Sequence, residues 1–204
     1  MSCATQDLVI QKGKTFSRVL RWESEPFVYK AITAITQAAP ARITAVGHGV
    51  PNGWRVAIVS VLGMTEINAP NSPPRTQDFK RATLIDVDTI ELNEVNSSEF
   101  TAYASGGWVQ YYTPVDLTGF TARMHIRPSE TSSTLLLALN TDPPGPDSRI
   151  VIDNTAKTIT LTISATDTVV TWKNAVYDLE LVSPGGVVTQ LLKGRITVEG
   201  EVTV

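Results

Sequence analysis

Apolar residues in this chain recur mainly at every second position, in short runs rich in Val, Ile and Thr that stop at Gly, Pro, Asn or Asp. A period of two sends successive side chains to opposite faces of an extended backbone, so the pattern predicts strands joined by turns. The clearest run is Gly119 to Arg127, where Phe120, Ala122, Met124 and Ile126 share one face and Thr121, Arg123, His125 and Arg127 the other. The first set is expected in a core and the second in water. Ile159, Leu161 and Ile163 alternate with Thr158, Thr160 and Thr162 after a turn at Asn154 to Lys157, and Tyr177, Leu179 and Leu181 alternate with Asp178 and Glu180. Ser183-Pro184-Gly185-Gly186 predicts a tight reversal before a last strand through Ile196 and Val198, because glycine takes the positive φ that hairpin turns need. One helical turn is expected at Ser164, with Asp167 at capping-box spacing.

Leu8 to Trp22 reads as two strands around Lys12-Gly13, with Phe16, Leu20 and Trp22 on one face. Two strands cannot bury such a face alone. Their partners are expected after residue 113, where the strand pattern resumes with Pro114-Val115-Asp116-Leu117-Thr118-Gly119. Between these segments the texture changes: short Ala- and Val-rich strands surround Gly47 to Gly53, a Pro-rich loop runs from Ala69 to Arg75, and Ala82 to Leu92 has the form of a hairpin turning at Asp86-Val87-Asp88. Ser105-Gly106-Gly107 then leads into an aromatic strand, Trp108 to Tyr112. The expected organisation is all-β: a discontinuous β-sandwich of residues 1–26 plus 114–204, interrupted by an inserted small β-barrel at 27–113. Insertion is tolerated where the ends of the interrupted loop lie close together.

Composition narrows the function classes. With 42% hydrophobic and 18% charged residues in 204, the chain can bury a core. A net charge of −3 without a basic run argues against nucleic acid as a partner. Cys3 is the single cysteine, which rules out an intrachain disulfide and a cysteine-rich metal site. The first twenty residues lack the apolar stretch of a signal peptide, and no run of about 18 apolar residues follows, so folding in a cytosol and no membrane partner are expected.

Candidate chemistry is sparse. His48 sits between Gly47 and Gly49, where a metal ligand or general base is conceivable, but His125 is the other histidine and a mononuclear site needs further ligands. The favoured reading of His48 is a turn residue. Asp86, Asp88 and Glu91 lack calcium-loop spacing and suit hairpin-turn chemistry. No Gly-x-Ser-x-Gly, phosphate-binding glycine loop or Cys/His pair occurs, so a non-enzymatic protein without metal or cofactor is expected. Arg123, His125 and Arg127 form a basic row, read as a solvated face or an interface with an acidic neighbour. Aromatics gather in the insert: Trp54, Trp108, Tyr103, Tyr111 and Tyr112. Rings grip sugars and partner proteins, although a small barrel's core is the favoured place for Trp54 and Trp108. Tyr111 and Tyr112 are adjacent and must point to opposite faces of a strand, so at least one is a candidate contact residue.

Two resemblances cover nearly the whole chain. The run from Ile43 through Gly47-His48-Gly49-Val50-Pro51-Asn52-Gly53-Trp54 to Ile58, with Ala82 to Leu92 and Tyr103 to Trp108, resembles the small β-barrel repeat labelled FCCH-like, which in phage and prophage proteins implies no ubiquitin chemistry. Asp116-Leu117-Thr118-Gly119-Phe120 to Arg127, Ala175 to Leu181 and Leu192 to Val198 resemble the immunoglobulin-like N-terminal domain of phage upper-baseplate and related tail or fibre-attachment proteins. The resemblance implies an immunoglobulin-like sandwich in a virion protein made in the host cytoplasm. It implies a structural adaptor in a tail, baseplate or fibre attachment, a homo-oligomer in a symmetric assembly with other virion proteins as partners. A head decoration or collar protein, and a carbohydrate-binding module for a host glycan, are the alternatives.

Overall fold

The alternation read around residue 124 becomes a strand whose odd and even positions part company: Ala122, Met124 and Ile126 are buried, Arg123 is exposed, and His125 and Arg127 are half-buried. The computed structural model describes residues 3–141 and 149–200. Three strands open the chain, β1 (Ala4–Thr5), β2 (Leu8–Gln11) and β3 (Phe16–Leu20). Seven follow: β4 (Glu23–Ala31), β5 (Ala34–Ile35), β6 (Ala41–Thr44), β7 (Arg55–Leu62), β8 (Lys80–Leu84), β9 (Thr89–Leu92) and β10 (Ser105–Pro114). Six complete it: β11 (Thr121–Arg127), β12 (Leu137–Asn140), β13 (Arg149–Asp153), β14 (Thr158–Ile163), β15 (Asn174–Val182) and β16 (Val188–Glu199). The fold is all-β, and its helical content among the described residues is two short 3-10 turns, Thr65–Ile67 and Thr76–Asp78. None is long and apolar enough to cross a membrane.

The chain divides into two compact units, Met1–Arg21 with Asp116–Val204, and Trp22–Val115. These limits differ from the expected 26/27 and 113/114 because β4 begins earlier than its sequence suggests. Glu23 and Ser24 pair with Pro114 and Thr113 on β10, and the Val115 amide donates to the Trp22 carbonyl at 3.1 Å. Backbone pairing, not composition, assigns residues 22–26 and 114–115 to the insert.

The discontinuous unit is a β-sandwich. One sheet runs β1-β16-β15-β11-β12 with β2 also on β16, and the other is β13-β14-β3. Alternate residues of both supply the core: Met124, Leu139, Leu179, Leu181 and Ile196 from the first, Ile150, Ile159, Leu161 and Ile163 from the second. The two strands expected around Lys12-Gly13 form, and each finds its partner after residue 113. β2 pairs parallel with β16 while β3 pairs antiparallel with β14, so the chain changes sheets at this point. The Lys12 amide still donates to the Glu199 carbonyl at 2.9 Å, and Gly13 then takes φ 76° to leave the sheet. Phe120, expected in the core, precedes the strand and is half-buried. At Ser164 a single turn forms, in which the Asp167 amide donates to the Ser164 hydroxyl at 3.1 Å, but no helix follows.

The inserted unit is a seven-stranded sheet, ordered β4-β10-β7-β8-β9-β6-β5, curled around one core that includes Trp54, Ile43, Met64, Ile90, Leu92 and Val109. Its two edges are consecutive in the chain. Ile32 donates to the Gly107 carbonyl at 3.0 Å and Thr33 to the Thr44 carbonyl at 2.9 Å, so the segment joining β4 to β5 bonds to both ends of the sheet. The two edges of this curled half-barrel are thus joined by covalent backbone at residues 32–33, which leaves less free edge to pair with other chains.

Candidate interaction surface

Val109 and Tyr111 of β10 point into the core of the inserted unit. Strand alternation therefore turns Trp108, Gln110 and Tyr112 to the opposite face, where Trp108 is exposed and Tyr112 half-buried while Gln110 and its neighbour Ala57 are buried. Their register neighbours share it: Ala31 and Val59 beside Trp108, Tyr29 and Ala57 beside Gln110, and Phe27 beside Tyr112. Phe79 joins them from the segment before β8. Phe27 and Tyr112 have ring centroids 4.3 Å apart, Phe79 stacks on Tyr112 at 5.7 Å and on Phe27 at 6.2 Å, and Tyr29 meets Phe27 edge-on at 6.4 Å. The Arg55 guanidinium carbon lies 5.8 Å from the Phe79 ring centroid and 5.7 Å from that of Tyr112. Glu23 holds that guanidinium, accepting from Nε at 2.8 and 2.9 Å and also from Nη2. This bond raises the Arg55 pKa against the opposing effect of burial, so the cation stays charged among the rings.

The outcome is a rigid aromatic face. Tyr29 is 50% and Trp108 43% exposed, while Phe27, Phe79 and Tyr112 are half-buried between them. Rings offer large apolar area at small conformational cost, which is why exposed and mutually braced aromatics suit binding of another surface.

The residues singled out in the sequence divide unevenly over this geometry. Tyr112 belongs to the face. Tyr111 does not: it is 3% exposed, with its hydroxyl donating to the His48 carbonyl, and burial raises its pKa. It is a core residue and not a contact residue. Trp54 is fully buried, as favoured, and its indole donates to the Tyr112 carbonyl at 3.0 Å. Trp108 reverses the expectation of a core place, because it lies on the opposite side of β10 from Val109 and Tyr111. Tyr103 is half-buried, with the Ile32 and Gly106 carbonyls each 3.0 Å from its hydroxyl.

In the basic row of the sandwich unit, Arg123 is paired with an acid of its own sheet. Arg123 donates to Glu180 at 2.7 Å, His125 stands in register with Asp178, and Arg127 donates to the carbonyls of Ser132 and Ser133 at 3.2 and 2.8 Å.

His48 directly follows the turn at Val46 and Gly47, and its side chain is buried. Its Nδ1 accepts from the Val50 amide at 2.9 Å, so Nε2 carries the proton and donates to the Asp86 carbonyl at 3.1 Å. The carboxylates nearby are occupied with the backbone: Asp88 accepts from the Gly47 amide at 2.7 Å and Asp86 from the Asp88 amide at 2.8 Å, a bond that lowers the Asp86 pKa. Glu91 pairs with Arg42 at 2.9 Å. Among the described residues no three His, Cys, Asp or Glu side chains gather as a metal site.

Sequence reasoning missed Phe27, Tyr29, Phe79 and the Glu23–Arg55 pair. The signal present was Phe27-Val28-Tyr29, aromatics two apart on one strand face. Only the pairing of β4 with β10 shows which face that is. No family model matches the chain, and no curated protein matches it.

Proposed function

We propose that this protein is a non-enzymatic structural adaptor of a bacteriophage particle, in a tail, baseplate or fibre attachment, working through contacts with other virion proteins. The observation that carries the reading is the aromatic face formed by Phe27, Tyr29, Phe79, Trp108 and Tyr112 around Arg55. A braced, partly exposed aromatic surface supports a binding role, and Trp, Tyr and Arg are the residue types that dominate protein contacts. The engagement of His48, Asp86, Asp88 and Glu91 in structural bonds supports contact over catalysis. The setting rests on the phrases Asp116-Leu117-Thr118-Gly119-Phe120 and Val176-Tyr177-Asp178-Leu179-Glu180-Leu181, which resemble phage attachment domains. In a symmetric particle many copies turn weak contacts into stable attachment through effective concentration.

Two measurements test this. Mass spectrometry of purified particles should find the chain as a repeated subunit, and the double variant Tyr29→Ala with Trp108→Ala should fold normally yet fail to incorporate. Absence from particles would sink the virion setting; full incorporation of the variant would remove the aromatic face from the contact. The exposure of Trp108 and Tyr29 also favours a second reading, a carbohydrate platform. Binding on a glycan array that the same double variant abolishes, with assembly intact, is the result that selects it.

A further inference from the structure

Beside the core of the inserted unit lies a cleft of about 390 Å³. That is near the small end of ligand sites, suited to one extended side chain more than to a bulky molecule. Its apolar lining is the partly exposed Ile67, Val95 and Phe100, backed by Val56 and Ile58 of β7 and Leu92 of β9, which are buried in the core. Its rim is polar and mostly acidic: Glu66, Asp78 and Glu94 stand against a single cation, Lys80, with the amide side chains of Gln77 and Asn96 between.

The three carboxylates are not equivalent. Asp78 is 8% exposed and serves the loop, accepting from the Asn71 side chain at 3.0 Å and the Arg75 amide at 2.8 Å. Glu66 accepts from the amide and hydroxyl of Thr101 at 2.9 and 2.8 Å through one oxygen, Oε1. Those bonds lower its pKa, the backbone bond most, so it is ionised at neutral pH. Its Oε2 and the Glu94 carboxylate form no ion pair among the described residues. The cleft thus pairs an apolar lining with uncompensated negative charge at its mouth.

We propose that this cleft receives an arginine side chain from a protein partner, with the aliphatic stem along Ile67, Val95 and Phe100 and the guanidinium between Glu66 and Glu94. Arginine matches both halves of the site. Its stem is apolar, and its planar head donates several hydrogen bonds to carboxylate and amide oxygens while stacking on a ring such as Phe100. A lysine ammonium has the charge but neither the plane nor the forked donors. The choice of a protein as the source rests on the adaptor role proposed above; the chemistry of the pocket does not.

The test uses the purified full chain, so it is independent of particle assembly. Amide shifts of the ¹⁵N-labelled protein are followed on titration with a capped Leu-Arg-Leu peptide, its citrulline counterpart and its lysine counterpart. The arginine peptide should saturate shifts around Glu66, Glu94 and Asn96 at about 0.1–1 mM, the affinity open to so small a contact. The citrulline and lysine peptides should bind at least about tenfold more weakly, as should the arginine peptide to the double variant Glu66→Gln with Glu94→Gln, whose own spectrum reports that it is folded. Gln at position 66 can still accept from Thr101, so the loop bond is kept. No saturable shift, equal binding of citrulline, or shifts confined to the aromatic face would overturn the assignment, and equal binding of lysine would overturn the choice of arginine.

Discussion

The Tyr177 hydroxyl donates to the Gln6 carbonyl at 2.7 Å from a side chain 3% exposed. Burial, and then the neighbouring Asp7 carboxylate, push its pKa up to about 12. A tyrosine in the unfolded chain titrates near about 10, so the folded state favours the neutral phenol. The stability this provides is complete below pH of about 10 and is lost as pH rises through about 12. Denaturation measured across that window should show the parent losing stability faster than Tyr177→Phe, which has no proton to release. At neutral pH the variant should be less stable by about 1 kcal/mol for the lost hydrogen bond. Parallel alkaline slopes for the two proteins would refute the assignment. Parity made much of this scale readable in advance, since Tyr177, Leu179 and Leu181 alternate inward as their spacing says. It failed for Trp108 because parity identifies two faces without saying which is the core. That choice was made by Tyr111, whose hydroxyl reaches the His48 carbonyl deep in the inserted unit.

Strands β1 and β2 reach β16 across a glycine. Ala4 and Thr5 pair with Leu192 and Lys193, Leu8 resumes pairing at Ile196, and Gly194 lies between. A Cβ at Gly194 would fall 2.1 Å from the Gln6 carbonyl oxygen, closer than atoms can approach. Asp7 fills the break by accepting from the Arg195 amide at 2.8 Å. Gly194→Ala should therefore lift the N-terminal segment off its neighbour. Hydrogen exchange should accelerate at Gln6, whose amide donates to the Lys193 carbonyl at 2.9 Å, while Val109 in the inserted unit keeps its protection. Unchanged exchange at Gln6 would show that the backbone can yield instead. Elements were more legible than their partners. The residues of β2 and β3 were foreseen, and so was their need for partners after residue 113, but not that the two would join different sheets. What separated them was the availability of two long partners, β16 and β14, distant in sequence and so invisible to local pattern. A different device escaped notice near Ser60, which has φ 59°: the Asn68 side chain accepts from the Val61 amide at 2.8 Å and donates to the Val61 carbonyl at 3.0 Å, standing in for a neighbouring strand.

At the scale of the whole molecule, the change in texture after residue 26 was enough to suggest an insertion, whereas its limits depended on pairing between residues far apart in the chain, such as Thr113 with Ser24, 89 positions away. The inserted unit has its own buried core and both its ends on adjoining strands, so residues 22–115 should fold when produced alone. Its amide spectrum should overlay that of the same residues in the full chain; a collapsed spectrum from the fragment beside a folded parent would refute the division. The hydrogen bond from Val115 to the Trp22 carbonyl also bears on the order of events during folding. Before the insert forms, β3 must find β14 across the whole intervening chain. Once it forms, the two ends emerge side by side and the 94 residues 22–115 drop out of the gap, which falls from 137 residues to 43, a saving in chain entropy of roughly 1 kcal/mol. The insert then acts as a matchmaker for the sandwich around it: on a ribosome it is complete while most of the sandwich is still unmade, and the first strands wait beside the point where their partners will appear.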